Sequence, residues 1–196
     1  MELIIFLRVL QKRWWIISII LFVTIAGTFL FTYYKTPIYS AAATYVVSPS
    51  PQILDGTEFL SGLSILGGQP TVASTYATIA TSAVVKQNAT EALGLKNDQA
   101  RNLTVFSRVR TNTHIIEITV EGNDPFLVQV FTNKIGKSTI DYVNTLNGVY
   151  DLQLLDPAVT PEQPIRPNMK INLMLGAALG LVLGIGIAFL SDLKDY

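Results

Sequence analysis

One histidine, His114, and no cysteine are all that this 196-residue chain offers for imidazole and thiol chemistry. Without cysteine there is no disulfide, thiolate metal site or thiol nucleophile, and a lone histidine does not build a transition-metal centre. His114 ends the polar run Arg110-Thr111-Asn112-Thr113-His114 with no carboxylate or serine at a diagnostic spacing. It reads as an exposed turn residue, not as a general base. Gly136-Lys137-Ser138 resembles the end of a phosphate-binding loop, but that loop needs a further glycine at position 131, where Phe stands. Gly184-x-Gly186 lacks the third glycine of a dinucleotide fingerprint, having Phe189 there, and no strand precedes it. The acidic residues are scattered singly; a glycosidase pair could come from distant positions, yet nothing singles one out. Asn88-Ala89-Thr90 and Asn102-Leu103-Thr104 fit the N-glycosylation pattern, which is short enough to arise by chance. The expectation is a non-catalytic protein with no cofactor and no metal.

Charge narrows the partners. Fourteen Lys and Arg against fourteen Asp and Glu leave no basic excess for phosphate neutralisation, so nucleic acid is not an expected partner. With 49% hydrophobic residues the chain is far from the composition of disorder. Its 14% charged residues compare with about 25% in a typical soluble domain. Two stretches hold no charge at all, one from Trp14 to Tyr34 and the other from Ile171 to Leu190. Each matches the roughly 20 residues an α-helix needs to cross a bilayer core. The lipid bilayer is therefore the first expected partner. The stretch between the spans, Lys35 to Lys170, carries 10 basic and 11 acidic side chains and reads as a water-soluble domain.

The first run is too long for the apolar core of a cleaved signal peptide, and Trp14, Trp15, Tyr33 and Tyr34 bracket it as interfacial aromatics. Arg8, Lys12 and Arg13 precede it, whereas Lys35 alone follows closely. The positive-inside rule then puts residues 1–13 in the cytoplasm, and two spans return residues 191–196 there. The resulting plan is a cytoplasmic N-terminus, a transmembrane helix at 14–34, an exported domain at 35–170, a second transmembrane helix at 171–190 and a cytoplasmic tail. The expected location is the cytoplasmic (inner) membrane.

Within the exported domain, Ile38 to Val47 predicts a strand, with Tyr39, Ala41, Ala43, Tyr45 and Val47 on one face. A Pro-, Ser- and Gly-rich stretch follows, with an apolar patch at Phe59, Leu60, Leu63, Ile65 and Leu66. Val72 to Leu93 keeps helical spacing, with Thr71 as N-cap and Gly94 beyond the C-terminus. Leu103 to Val109 and Ile115 to Glu121 predict a hairpin of two strands. Asp124 as N-cap and Pro125 at the first helical position open a second helix, striped by Val128, Phe131, Ile135, Tyr142 and Leu146 and ended by Gly148. A strand at about 149–155 closes the domain. The fold class is α+β, and the β-α-β-β-α-β order is the split βαβ pattern of ferredoxin-like folds. The first and last strands should lie close together, since both lead into the membrane.

Two further features concern the membrane. Gly176, Gly180 and Gly184 recur every fourth residue and so share one face of the second span. In lipid, helices associate where small residues let backbones approach; the expected contact is either with the first span near Gly27 or between copies. Before that span, the segment from Asp156 to Asn168 carries Pro157, Pro161, Pro164 and Pro167. The spacing of the last three suits a polyproline-II strut of three residues per turn.

At this stretch the sequence resembles the chain-length determinant (Wzz-type), or polysaccharide co-polymerase, family of bacterial envelope proteins. The resemblance rests on Asp156-Pro157-Ala158, then Pro161-x-x-Pro164-x-x-Pro167-Asn168, running into a glycine-rich second span. It extends to the Trp-Trp-flanked first span, the Tyr39-x-Ala41-x-Ala43-x-Tyr45-Val46 strand, the Gly62 to Gly68 segment and Glu121-Gly122-Asn123-Asp124-Pro125. It implies a homo-oligomeric scaffold that controls the length, polymerisation or export of a surface polysaccharide, working with a polymerase or exporter. Larger relatives have a longer helical arm in the exported domain and sometimes a fused cytoplasmic tyrosine-kinase domain. Here the tail is Ser191 to Tyr196, so the resemblance implies a separate cytoplasmic tyrosine kinase as partner. The rival expectation is a two-span exported sensor or adaptor that binds a small ligand, against which so short a tail counts. Even with the spans set aside, the stretch from Lys35 to Lys170 remains leaner in charge than a typical soluble domain. That predicts a weakly charged face for contact with other copies.

Overall fold

The computed structural model describes residues 11–50, 69–146 and 150–193. The expected features at Arg8, at the apolar segment 59–68, at Gly148 and at Tyr196 lie outside the described residues. The chain divides into two compact units, one formed by residues 1–36 with 166–196 and the other by Pro37–Ile165.

The Pro37–Ile165 unit is built on a four-stranded sheet. Its strands are β1 (Tyr39–Pro49), β2 (Thr104–Val109), β3 (Ile115–Gly122) and β4 (Tyr150–Asp156). Their order across the sheet is β2-β3-β1-β4, and every neighbouring pair is antiparallel. β1 and β2 flank β3 and so run parallel to each other, as do β3 and β4 on either side of β1. The first and last strands pair directly, Val47 opposite Leu152 and Pro49 opposite Tyr150.

Strict alternation decides which face is covered. Ala41, Ala43, Tyr45 and Val47 of β1 and Ile116, Ile118 and Val120 of β3 are buried, while the residues between them turn away. Among the described residues, helices cover only that face. The longest is α5 (Pro125–Leu146), whose Val128, Phe131, Ile135 and Val143 supply its buried stripe. Each such side chain contributes about 1.5–3 kcal/mol by leaving water, so burying this stripe against the sheet stabilises the unit. At its start the Asp124 carboxylate accepts hydrogen bonds from the Phe126 and Leu127 amides at 2.9 and 3.1 Å. Those amides have no partner inside the helix, which is why an acidic N-cap followed by proline begins it cleanly.

The single helix expected at 72–93 is two, α2 (Gln69–Ala80) and α3 (Ala83–Ala92). The break falls at Thr81 and Ser82, where Ser82 adopts extended backbone and its hydroxyl accepts from the Val85 amide at 3.4 Å. Serine competes with the helix for its own backbone in this way, and apolar spacing alone does not register it. Thr71 therefore lies inside α2, which begins two residues earlier. Gly94 does end α3, at φ +62°, a conformation that suits glycine. A short helix, α4 (Asn97–Arg101), leads into β2 and has no apolar pattern to announce it.

The other unit contains two helices, α1 (Trp14–Tyr33) and α6 (Met169–Leu193), both long and apolar enough to cross a membrane. At about 1.5 Å per residue, the 20 residues of α1 span roughly 30 Å.

Candidate functional site

The apolar helices meet along a narrow antiparallel seam. Gly176, Gly180, Gly184 and Ala188, one residue per helical turn, are the buried stripe of α6. A Cβ on Gly176 would overlap the Thr28 hydroxyl, and one on Gly180 would overlap that of Thr24 while lying 3.2 Å from the Leu21 Cα. At Gly184 the approach is to the backbone itself, 3.1 Å from the Ile17 Cα. The sequence spacing thus marks a face of α6, and that face lies against Ile17, Leu21, Thr24 and Thr28 of the same chain. The seam runs along neighbours of Gly27, but Gly27 itself is exposed, with nothing within 4 Å of where its Cβ would be.

Threonine suits the opposing face because each hydroxyl can return its proton to its own helix. Thr24 donates to the Leu21 carbonyl at 2.9 Å and Thr28 to the Thr24 carbonyl at 2.7 Å, so neither leaves a polar group unsatisfied in an apolar setting. Asn172 then donates to the Thr32 hydroxyl at 3.2 Å, and Thr32 is buried. At the opposite end of the seam Lys12 and Asp192 form an ion pair at 3.0 Å. The threonines went unremarked in the sequence, although Thr24, Thr28 and Thr32 repeat every fourth residue just as the glycines do.

The proline segment is fastened in its own unit at four points, one of them the Thr160 hydroxyl donating to the Gln129 side-chain oxygen of α5 at 3.1 Å. The Thr44 hydroxyl donates to the Asp156 carboxylate at 2.8 Å. Asn133 of α5 grips Ala158 from both sides, donating to its carbonyl at 3.1 Å and accepting from its amide at 2.9 Å. The Ile165 amide donates to the Ile38 carbonyl at 2.8 Å. Between these points the chain bends at Glu162, Gln163 and Ile165, so it is a pinned strap with Pro157, Pro161 and Pro164 along it, not an uninterrupted polyproline rod. Local spacing of prolines describes a free chain; the tertiary hydrogen bonds redirect this one. In the helical unit Asn168, after Pro167, caps α6: its side chain accepts from the Ile171 amide at 3.3 Å and its carbonyl from Asn172 at 3.0 Å. No sequence signal distinguished Asn133 from other polar helix residues, since its role depends on a segment 25 residues away.

The opposite face of the sheet carries a cluster of ion pairs. Glu117 of β3 is held by Arg108 at 2.7 Å and Arg110 at 3.2 Å. Burial pushes the Glu117 carboxyl up, but the hydrogen bonds and charges of the two arginines together outweigh it and hold it below the usual carboxylate range. His114 is half-buried and not the exposed turn residue expected. Its carbonyl accepts from the Val47 amide at 3.0 Å, and its Nδ1 has no hydrogen-bond partner among the described residues. Gly136-Lys137-Ser138 lies inside α5, where Gly136 packs on Tyr45. Among the described residues no three acidic or histidine side chains gather in a way that could hold a metal ion. Exposed apolar side chains of this unit include Phe106, Phe126, Leu154, Leu155 and Val159.

Comparison with known proteins places these features in context. The family model "Chain length determinant protein" (Wzz) matches residues 1–93. Two Streptococcus agalactiae sequences, both capsular polysaccharide biosynthesis protein CpsC, one of them from serotype Ia, are 27% identical to the chain. The alignment spans 96% of this chain and 82% of theirs. A solved full-length bacterial polysaccharide co-polymerase shares the fold with a TM-score of 0.56 over 97% of each chain, at 12% identity. The resemblance read from the residues, to the chain-length determinant family, is thereby shown.

Proposed function

We propose that this chain is a non-catalytic membrane scaffold, a polysaccharide co-polymerase that regulates the chain length, polymerisation or export of a surface polysaccharide. One observation carries the reading: an α/β unit formed between two membrane-length apolar helices, an arrangement similar over 97% of its length to a solved co-polymerase. The similarity to CpsC over 96% of the chain supports a capsular polysaccharide as the polymer.

In this reading α1 and α6 are transmembrane, residues 35–170 are exported, and both termini are cytoplasmic, which the Arg8, Lys12 and Arg13 cluster supports. The exported unit is ferredoxin-like, a topology supported by the β2-β3-β1-β4 order with helical segments in the β1–β2 and β3–β4 connections. Gly176, Gly180 and Gly184 serve to lock the two spans. The strap of Pro157, Pro161 and Pro164, with Pro167 and Asn168 after it, is the linker that leads into the second span. Partners are further copies of the chain, a polymerase or exporter, and a separate cytoplasmic tyrosine kinase. Polymer length is set by the ratio of elongation to release, so a protein can alter it by binding and positioning, with no nucleophile or general base of its own.

Deleting the protein should shift the size distribution of the surface polysaccharide on a gel, and restoring it should reverse the shift. An unchanged distribution and yield would overturn the proposal.

A further inference from the structure

The sheet face that no helix covers among the described residues has a regular composition once its register is followed. Across the strands, Phe106 stands beside Thr119, and Thr119 beside Ala42. The row on one side is Thr104, Glu121 and Ser40; the row on the other is Arg108, Glu117 and Thr44. One aromatic ring, 49% exposed, therefore rises next to a floor of small side chains, with hydroxyls and charged groups on both flanks. The hollow is a shallow trough of about 390 Å³.

We infer that this trough is a binding surface for an extended glycan, with Phe106 as its stacking platform. A pyranose ring has an apolar C–H face and a rim of hydroxyls. The first gains by leaving water against an aromatic face. The second needs both acceptors and donors, which Glu121, Ser40, Thr119 and Arg108 supply, carboxylate and guanidinium forming the stronger, charge-assisted bonds. Ala42 keeps the floor low enough for a flat ring to lie beside Phe106. The Arg108–Glu117 pair is held in place before any ligand arrives, so little ordering cost attends binding. A protein partner fits less well: one half-exposed ring between polar rows offers little of the apolar core that a standard interface of roughly 800 Å² per side contains. An open trough also suits a polymer passing across it better than an enclosed small molecule.

The inference rests on the polysaccharide reading proposed above, and its test separates the two. The full chain in detergent or nanodiscs is titrated with oligosaccharides of defined size, made by partial depolymerisation of the surface polysaccharide from the cells that express it. Phe106→Ala should weaken binding about tenfold or more, the loss typical of removing a central anchor, and Phe106→Tyr should retain it. Ala42→Gln, which fills the floor of the trough without touching the ring, should weaken it as well. Phe126→Ala, on α5, should leave it unchanged. Equal affinity in wild type, Phe106→Ala and Ala42→Gln overturns the site, as does failure of the wild type to bind. So does a change in oligomeric state in Phe106→Ala with glycan affinity intact, which would assign the face to another copy of the chain. If deletion of the protein alters polymer length while these variants bind as wild type does, the scaffold reading survives and the trough does not.

Discussion

Gly136 of α5 lies so close to Tyr45 of β1 that a Cβ on the glycine would overlap the tyrosine hydroxyl. This contact is where the longest helix of the unit comes down on the central part of the sheet. Tyr45 is among the largest fully buried side chains, and the missing methyl of Gly136 makes the room for its phenol. Glycine inside a helix costs up to about 1 kcal/mol relative to alanine, and here that cost is offset by the packing it allows.

Gly136→Ala should therefore destabilise the protein despite alanine's better helix propensity. Overpacking a filled core costs about 1–3 kcal/mol, which a denaturant or thermal melt of the full chain would read. Tyr45→Phe in the Gly136→Ala background should recover part of the loss, because it removes the overlapping oxygen. A melt unchanged by Gly136→Ala would show that the helix can move away freely.

The seam between α1 and α6 can be tested without background, as the chain has no cysteine. Thr32→Cys combined with Asn172→Cys should cross-link on oxidation, the native side chains there being 3.2 Å apart. Adding Gly180→Leu should reduce that cross-link severalfold by forcing the helices apart at Thr24. Gly27→Leu, on an exposed face, should leave it unchanged.

Asn133→Leu should release the strap. It leaves the amide and carbonyl of Ala158 without their protein partners, at a cost of about 1–3 kcal/mol if they remain buried. Hydrogen exchange should accelerate at Ala158 and its neighbours while the β1–β3 ladder keeps its protection. Equal protection of Ala158 in both proteins would mean that the asparagine does not hold it.

Stability should fall at both extremes of pH. Burial pushes the Tyr45 phenol from 10.0 up to about 12, so its neutral form is favoured in the folded state. That contribution is complete below 10 and is lost as pH rises from there towards 12, about 2–3 kcal/mol at about 1.4 kcal/mol per unit. Tyr45→Phe should flatten this alkaline limb. Glu117 has the opposite sign: its folded-state value is depressed, so its contribution is complete above the ordinary value of 4.5 and is lost as pH falls through the lower folded one. With Arg108 and Arg110 largely exposed, that contribution is at most about 1 kcal/mol. Glu117→Gln should shrink the acid limb by no more than this.

How much of this could be read in the chain itself follows from the range of each interaction. The two apolar helices, the Asp124–Pro125 helix start, the Gly94 stop and the four strands to within a few residues depend on neighbours within a turn or two. So does the face formed by Gly176, Gly180 and Gly184, because helical periodicity alone aligns them. The break at Ser82 is local as well, but a weak cap competes there with continuous apolar spacing, and spacing does not record the outcome.

Tertiary structure decided the rest. The pairing of β1 with β4 that completes the order β2-β3-β1-β4, the placing of Gly136 over Tyr45 and the grip of Asn133 on Ala158 join residues 25 to 112 positions apart. Likewise the choice of Thr24 and Thr28 over Gly27 as partners of the glycine stripe required the second helix to be present. The trough beside Phe106 exists only because three strands pair in one register, and a slip of one residue would turn its side chains to the opposite face. Sequence periodicity determines which face of an element is apolar; what that face meets is set by the packing of the whole chain, where shape and hydrogen-bond satisfaction between distant segments select one arrangement.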